Sequence, residues 1–153
     1  MDKKLKLCLV ASSGGHLMQL LSLKAAWGQH ERFWISFPKD DALALLKEER
    51  VIWAHHPTNR NLKNLIKNIG LAWHILRTEK PDAVISTGAG VAVPFLLIGK
   101  MLGIKTVYIE SLTRIEGLSL SGKMVYPFVS RFFVQWADLA KRYPKAIYEG
   151  QVL

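Results

Sequence analysis

The segment Lys6-Leu7-Cys8-Leu9-Val10-Ala11-Ser12-Ser13-Gly14-Gly15-His16 passes from strand to turn to helix. Leu7 to Ala11 are uninterrupted apolar residues, the pattern of a strand buried on both faces. Ser12 to Gly15 break it, and from His16 to Trp27 the apolar residues Leu17, Leu20, Leu21 and Leu23 fall at helical spacing. A buried strand feeding a helix through a glycine turn opens a parallel α/β sheet.

The pattern repeats along the chain. Arg32 to Phe37 reads as a second strand, and Asp40 can cap a helix over residues 41–49. Val51 to Ala54 is a third strand, followed by a long helix capped by Thr58 or Asn59 and running to about Thr78. Asp82 to Ser86 is a fourth strand, and Thr87-Gly88-Ala89-Gly90 leads into an apolar helix from Val91 to Leu102. Lys105 to Ile109 is a fifth strand, Leu118 to Val129 a helix, and Phe132 to Val134 and Ala146 to Tyr148 two last short strands. This alternation predicts an α/β fold with a Rossmann-like, doubly wound parallel sheet.

The whole chain of 153 residues is expected to be one domain, 1–153, so a second domain would come from another polypeptide. Its 50% hydrophobic content excludes disorder. A single cysteine, Cys8, makes no internal disulfide, and no secretory signal precedes it, so a cytoplasmic setting is expected. No run reaches the ~20 apolar residues of a membrane span. The net charge of +9 is uneven, because residues 60–80 carry Arg60, Lys63, Lys67, Arg77 and Lys80 against Glu79 alone. Such a basic surface is built to meet an anion. Nucleic acid is disfavoured, since no recognition motif is present and Trp27, Trp34, Trp53 and Trp73 fall at packing positions.

Ligands of doubly wound sheets bind at the carboxyl ends of the strands, where both glycine loops lie. In the first loop, Ser13, Gly14 and Gly15 let the backbone turn tightly and approach a ligand. Gly14 and Gly15 are adjacent, so the dinucleotide fingerprint G-x-G-x-x-G is absent. His16 opens the following helix, where a neutral imidazole is either a general base or a structural hydrogen-bonding group. In the second loop, Thr87, Gly88 and Gly90 either shape a diphosphate site or pack a tight turn. Glu110 ends the fifth strand at the same edge, and Arg114 follows it. They can hold sugar hydroxyls and phosphate, or pair with each other at the surface. No His, Cys or Asp set has zinc-like spacing, so neither metal nor cofactor is expected.

Ser13-Gly14-Gly15-His16, Ser86-Thr87-Gly88-Ala89-Gly90, Tyr108-Ile109-Glu110-Ser111, Leu118 to Lys123 and Phe133-Val134-Gln135-Trp136 occur here in order. In this the sequence resembles the acceptor-binding, membrane-associated subunit of split GT-B glycosyltransferases. That family includes bacterial PssD-type exopolysaccharide and capsule proteins and the eukaryotic dolichol-pathway N-acetylglucosaminyltransferase membrane subunit. The sequence is similar also to the N-terminal half of the lipid II synthase. The resemblance implies the N-terminal domain of a GT-B enzyme, and a small partner subunit of C-terminal GT-B type that holds the UDP-sugar. It implies transfer with inversion of glucuronic acid, galactose or N-acetylglucosamine to a polyprenyl-diphosphate-linked saccharide, by a hexosyltransferase pair inactive when split. His16 then becomes the general base, with Glu110 as its catalytic companion in acceptor binding. Ser13, Gly14, Gly15, Thr87, Gly88 and Gly90 shape the substrate site, and chemistry adds Arg114. The alternative is a non-catalytic membrane scaffold that recruits and stimulates a complete transferase.

The eukaryotic subunits begin with a membrane-spanning helix and this chain begins at its first strand, so membrane contact is expected to be peripheral, on the inner face of the plasma membrane. The candidate is the helix over 58–78, where Leu62, Leu65, Ile66, Ile69, Trp73 and Leu76 recur among Lys63, Lys67 and Arg77. Lys63, Lys67, Trp73 and Arg77 would meet anionic lipid. The competing reading packs the apolar stripe on the sheet. The apolar helix from Val91 to Leu102 is assigned to burial or to a subunit interface.

Overall fold

The computed structural model describes residues 3–58 and 60–152. Its strands are β1 (Lys6–Ala11), β2 (Glu31–Ser36), β3 (Val51–Trp53), β4 (Ala83–Gly88), β5 (Lys105–Ile109), β6 (Arg131–Val134) and β7 (Ala146–Tyr148). Its helices are α1 (Gly15–Leu21), α2 (Lys24–Trp27), α3 (Asp40–Leu45), α4 (Leu62–Glu79), α5 (Ala92–Met101), α6 (Leu120–Val125) and α7 (Ala137–Arg142). All strands pair in parallel, in the order β3-β2-β1-β4-β5-β6-β7. The order reverses between β1 and β4, so the loops after these two strands diverge and leave a crevice. The doubly wound α/β architecture expected from the sequence is present.

The alternation of β1 sorts the core into two layers. Cys8 and Val10 face Ala72, Ile75 and Leu76 of α4 and Phe95 and Leu96 of α5. Leu7, Leu9 and Ala11 face Leu17 and Leu20 of α1, Trp27 of α2 and Ala42 of α3. The apolar content of α5 is thereby explained by burial: Val93, Pro94, Phe95, Leu96 and Ile98 are all covered.

Local polar chemistry moved several helix ends. The single helix expected over residues 16–27 is two. The Ser22 hydroxyl donates to the Met18 carbonyl at 2.9 Å, and the Trp27 indole N–H takes the Leu20 carbonyl at 2.8 Å. Leu20 O also accepts a three-residue turn bond from Leu23 N at 3.1 Å, and the helix stops. Asp40 does not cap α3. It is the first helical residue, after an N-cap Lys39 that makes no side-chain bond. Of the two caps expected for α4, Asn59 lies outside the described residues, and the cap is Asn61, whose Oδ1 accepts from Asn64 N at 3.0 Å. The helix expected over 118–129 is confined to α6, because Pro127 has no amide N–H to continue it. α7 was not anticipated; it is six residues long and buries only Leu139.

At the amino edge of the sheet, Glu79 at the end of α4 binds Arg50 and lies 3.3 Å from Lys6 of β1. The Arg50 hydrogen bond, with that of Lys6, holds its carboxyl down at about 2. A carboxyl depressed in the folded state stabilises the fold above its unfolded value near 4.3, and that stabilisation is lost as pH falls toward 2. Glu79→Gln is therefore expected to lower stability at neutral pH and to flatten the decline between about pH 4 and 2 in acid-unfolding curves.

Candidate functional site

A register shift between the neighbouring strands β1 and β4 brings Thr87 to His16 at the reversal point. Along β1 and β4, Val10 pairs with Ser86 but Ala11 pairs with Gly88, so Thr87 is left out of register. Freed from the ladder, Thr87 turns to α1. Its carbonyl lies 2.7 Å from His16 Nδ1, and its hydroxyl donates to the His16 carbonyl. A carbonyl can only accept, so Nδ1 carries a proton, and in the neutral ring Nε2 carries the lone pair. The clamp needs Gly88, whose φ is +109°, because a Cβ there would stand 2.8 Å from His16 Nδ1.

His16 lines a groove of about 740 Å³ at the carboxyl ends of the strands. Arg60 and Arg114 also line it, and among the described residues no carboxylate does. Neither arginine is in an ion pair among the described residues. Hydroxyls come from Thr58, Ser111, Thr113, Ser119 and Ser121. Beyond them the walls are apolar, with Leu62 and Leu65 of α4 on one side and Leu120 and Met124 of α6 on the other. The groove thus has a basic, hydroxyl-rich centre and a greasy flank, complementary to an anion joined to a hydrocarbon.

Glu110 does not reach this space. It is fully buried, and Oε1 accepts from Ser111 N at 2.9 Å, Ser119 Oγ at 3.0 Å and Tyr108 Oη at 3.3 Å. Oε2 accepts from Ser119 N at 2.9 Å. The carboxylate expected at the reacting centre is instead filled by the protein's own donors in this structure, and it holds the loop 111–119 and the start of α6. No Glu110–Arg114 pair forms. Burial, and then the charge of Glu110, push the Tyr108 hydroxyl up from its ordinary value, so it stays a donor.

Of the other residues expected at the site, Gly90 and Arg114 reach the groove. Thr87 and Gly88 stand behind His16 as its clamp. Ser13, Gly14 and Gly15 do not line the groove; Gly14, at φ +84°, gives its N–H to Asp41 Oδ2 at 2.6 Å. Lys63, Lys67, Trp73 and Arg77 share the exposed outer face of α4, and the Arg77 guanidinium lies 5.2 Å from the Trp73 ring. Arg60 and Asp41 were not singled out as site residues. Arg60 carried a signal only as charge beside the α4 cap, and Asp41 reads locally as an ordinary first-turn acid. Among the described residues, no group of His, Cys, Asp and Glu is arranged to hold a metal ion.

The strand order and the crevice define a Rossmann-like α/β domain, the fold of the N-terminal half of GT-B proteins. Solved structures agree: the chain superposes on Acinetobacter baumannii MurG with a TM-score of 0.74 at 19% identity, covering 90% of this chain and 43% of that one. It matches the Staphylococcus aureus MnaA–UDP structure with a TM-score of 0.76 at 14% identity, over 98% of this chain and 44% of that one. At such identities the likeness shows the fold, and the chain spans under half of each. Residues 54–152 match the family described as "Oligosaccharide biosynthesis protein Alg14 like", and the chain belongs to it. The rat UDP-N-acetylglucosamine transferase subunit ALG14 is 32% identical over 99% of this chain and 84% of its own length. The Schizosaccharomyces pombe subunit is 49% identical over 47% of this chain and 37% of its own.

Gly122 tests the role given to Glu110, because a Cβ at Gly122 would lie 2.2 Å from Glu110 Oε2. Gly122→Ala should cost about 1–3 kcal/mol, the price of disturbing a buried hydrogen-bonded carboxylate, despite alanine's better helix propensity. Thermal or urea unfolding reads this; a neutral or stabilising substitution would show that Glu110 is free to move.

Proposed function

We propose that this chain is a single acceptor-binding domain, one subunit of a two-component inverting glycosyltransferase. The partner subunit holds a UDP-sugar, and this chain presents a polyprenyl-diphosphate-linked saccharide. The groove carries the reading: it combines a base of fixed tautomer, two arginines facing no acid, and an apolar flank. An acceptor hydroxyl beside His16 gives its proton to Nε2 as its oxygen attacks the anomeric carbon of the donor. The bond from that carbon to the UDP phosphate oxygen breaks, UDP leaves, and configuration inverts. Thr87 keeps the ring oriented while it gains the proton, since an Nδ1–H donor is retained in both protonation states. Arg60 and Arg114 neutralise the acceptor diphosphate.

Among the three donor sugars, the names of the relatives favour N-acetylglucosamine over glucuronic acid and galactose. A setting in bacterial exopolysaccharide or capsule synthesis rests on the sequence resemblance alone. The lipid tail of the acceptor requires a membrane nearby. No helix of the described residues is long and apolar enough to cross one. Contact at a cytoplasmic membrane face is supported by α4, which exposes Leu62, Ile66, Ile69 and Trp73 in one line beside Lys63, Lys67 and Arg77. The face buried on the sheet is a different one, formed by Asn68, Ala72, Ile75 and Leu76. The helix therefore packs on the sheet with one side and leaves the other side exposed for a membrane.

His16→Ala is expected to lower kcat of the assembled pair by about 10²–10⁴-fold with assembly intact. Undiminished transfer would leave the scaffold reading in its place, and efficient transfer by the purified chain alone would refute a split enzyme. Changing Lys63, Lys67 and Arg77 together to Glu should weaken co-sedimentation with anionic vesicles by about a hundredfold, at roughly 1 kcal/mol per basic residue. Unchanged binding would remove α4 from the membrane contact.

A further inference from the structure

Across the groove from α4 lies a second line of exposed apolar side chains. Leu120 is 76% exposed, Met124 44% and Phe128 48%. Spaced four residues apart, they run along one side of α6 and the turn after it. They contribute nothing to the core: α6 packs inward through Gly122 and Val125. Lys123 is exposed beside Met124, and α6 holds no acidic residue. On the facing helix the one acid, Glu79, is held by Arg50 and Lys6. The two lines are joined through the groove, since Leu62 and Leu65 form one wall of it and Leu120 and Met124 the other.

A protein partner would meet about one hydrogen-bonding group for every 100–200 Å² of contact. These ridges offer apolar tips and cationic heads, which is the composition of an interfacial element on anionic lipid. We propose that the Leu120–Met124–Phe128 ridge of α6 rests on the same anionic bilayer as the outer face of α4, so that the groove mouth opens onto the membrane between them. This rests on the acceptor-binding reading above. The isoprenoid tail of the acceptor enters sideways between Leu62 and Leu120 without leaving the bilayer, and its diphosphate meets Arg60 and Arg114 at headgroup depth. Two contacts fix the tilt of the domain, which one helix alone leaves free to roll.

The test uses nitroxide labels at Met124→Cys and, separately, at Ile66→Cys, on protein bound to vesicles of phosphatidylglycerol and phosphatidylcholine. Cys8 is wholly buried, so labelling is confined to the introduced thiol. Both labels should gain collisions with oxygen and lose collisions with a soluble nickel chelate on vesicle binding. In an unlabelled protein, Met124→Ser with Phe128→Ser should lower vesicle partitioning about tenfold or more with the circular dichroism spectrum unchanged. A label at 124 that stays in water while the label at 66 is immersed overturns the ridge. So does a label at 124 shielded only when the partner subunit is added, which would make α6 a protein interface. Either result leaves the dependence of transfer on His16 intact. Loss of that dependence with both labels immersed would overturn the proposed chemistry and spare the ridge.

Discussion

The double hydrogen bond between Thr87 and His16 is the constraint on which the site depends. It forms because β4 slips register against β1 at its last residues, releasing one backbone carbonyl from the sheet. The bond ties α1 to the end of β4 across the point where the sheet reverses direction. It fixes the tautomer of the ring, and it requires glycine at position 88 to let the ring approach. A histidine on a seven-residue helix would otherwise sample several rotamers. Here its orientation is set by the end of β4, a central strand of the parallel sheet.

A second constraint is the buried carboxylate of Glu110. An ionised group without exposure is tolerated only when its lone pairs are filled. Ser111, Ser119 and Tyr108 supply those hydrogen bonds. Because these donors come from β5, the loop after it and the cap of α6, the carboxylate fastens all three together. The loop in turn carries Ser111, Thr113 and Arg114 to the groove. Gln135 extends the fastening, its amide donating to the Glu110 carbonyl at 3.0 Å and to Gln19 of α1 at 2.9 Å. The α6 side of the groove and α1, which carries His16, are thus joined from below by polar bonds, while the flanks stay apolar and open.

This arrangement explains a composition that is both greasy and basic. The sheet consumes apolar residues on both faces, and α5 is buried almost entirely. Among the exposed apolar side chains, Leu62, Ile66, Ile69 and Trp73 stand on α4 and Leu120 and Met124 on α6, on either side of the groove. Of the basic residues, Lys63, Lys67 and Arg77 stand on α4 and Arg60 and Arg114 line the groove, while the one acid of α4, Glu79, is held by Arg50 and Lys6.

The sequence by itself determined the succession of the seven strands, both glycine loops, the placement of His16 at the start of the first helix and the basic character of α4, though not α7 or the break between α1 and α2. These follow from local rules: hydrophobic period, turn chemistry, and the charge of neighbouring residues. Only the tertiary structure decided that Thr87 clamps His16, that Asp41 occupies the Gly14 amide, and that Arg60 joins Arg114 in one groove. It also turned Glu110 inward, and it showed that α4 has two apolar sides where the sequence displayed one stripe. The reason is the same in each case. A hydrogen bond or a shared cavity between residues far apart in the chain leaves no periodic mark, and a carboxylate at a strand end reads alike whether its donors come from a ligand or from the protein beneath it.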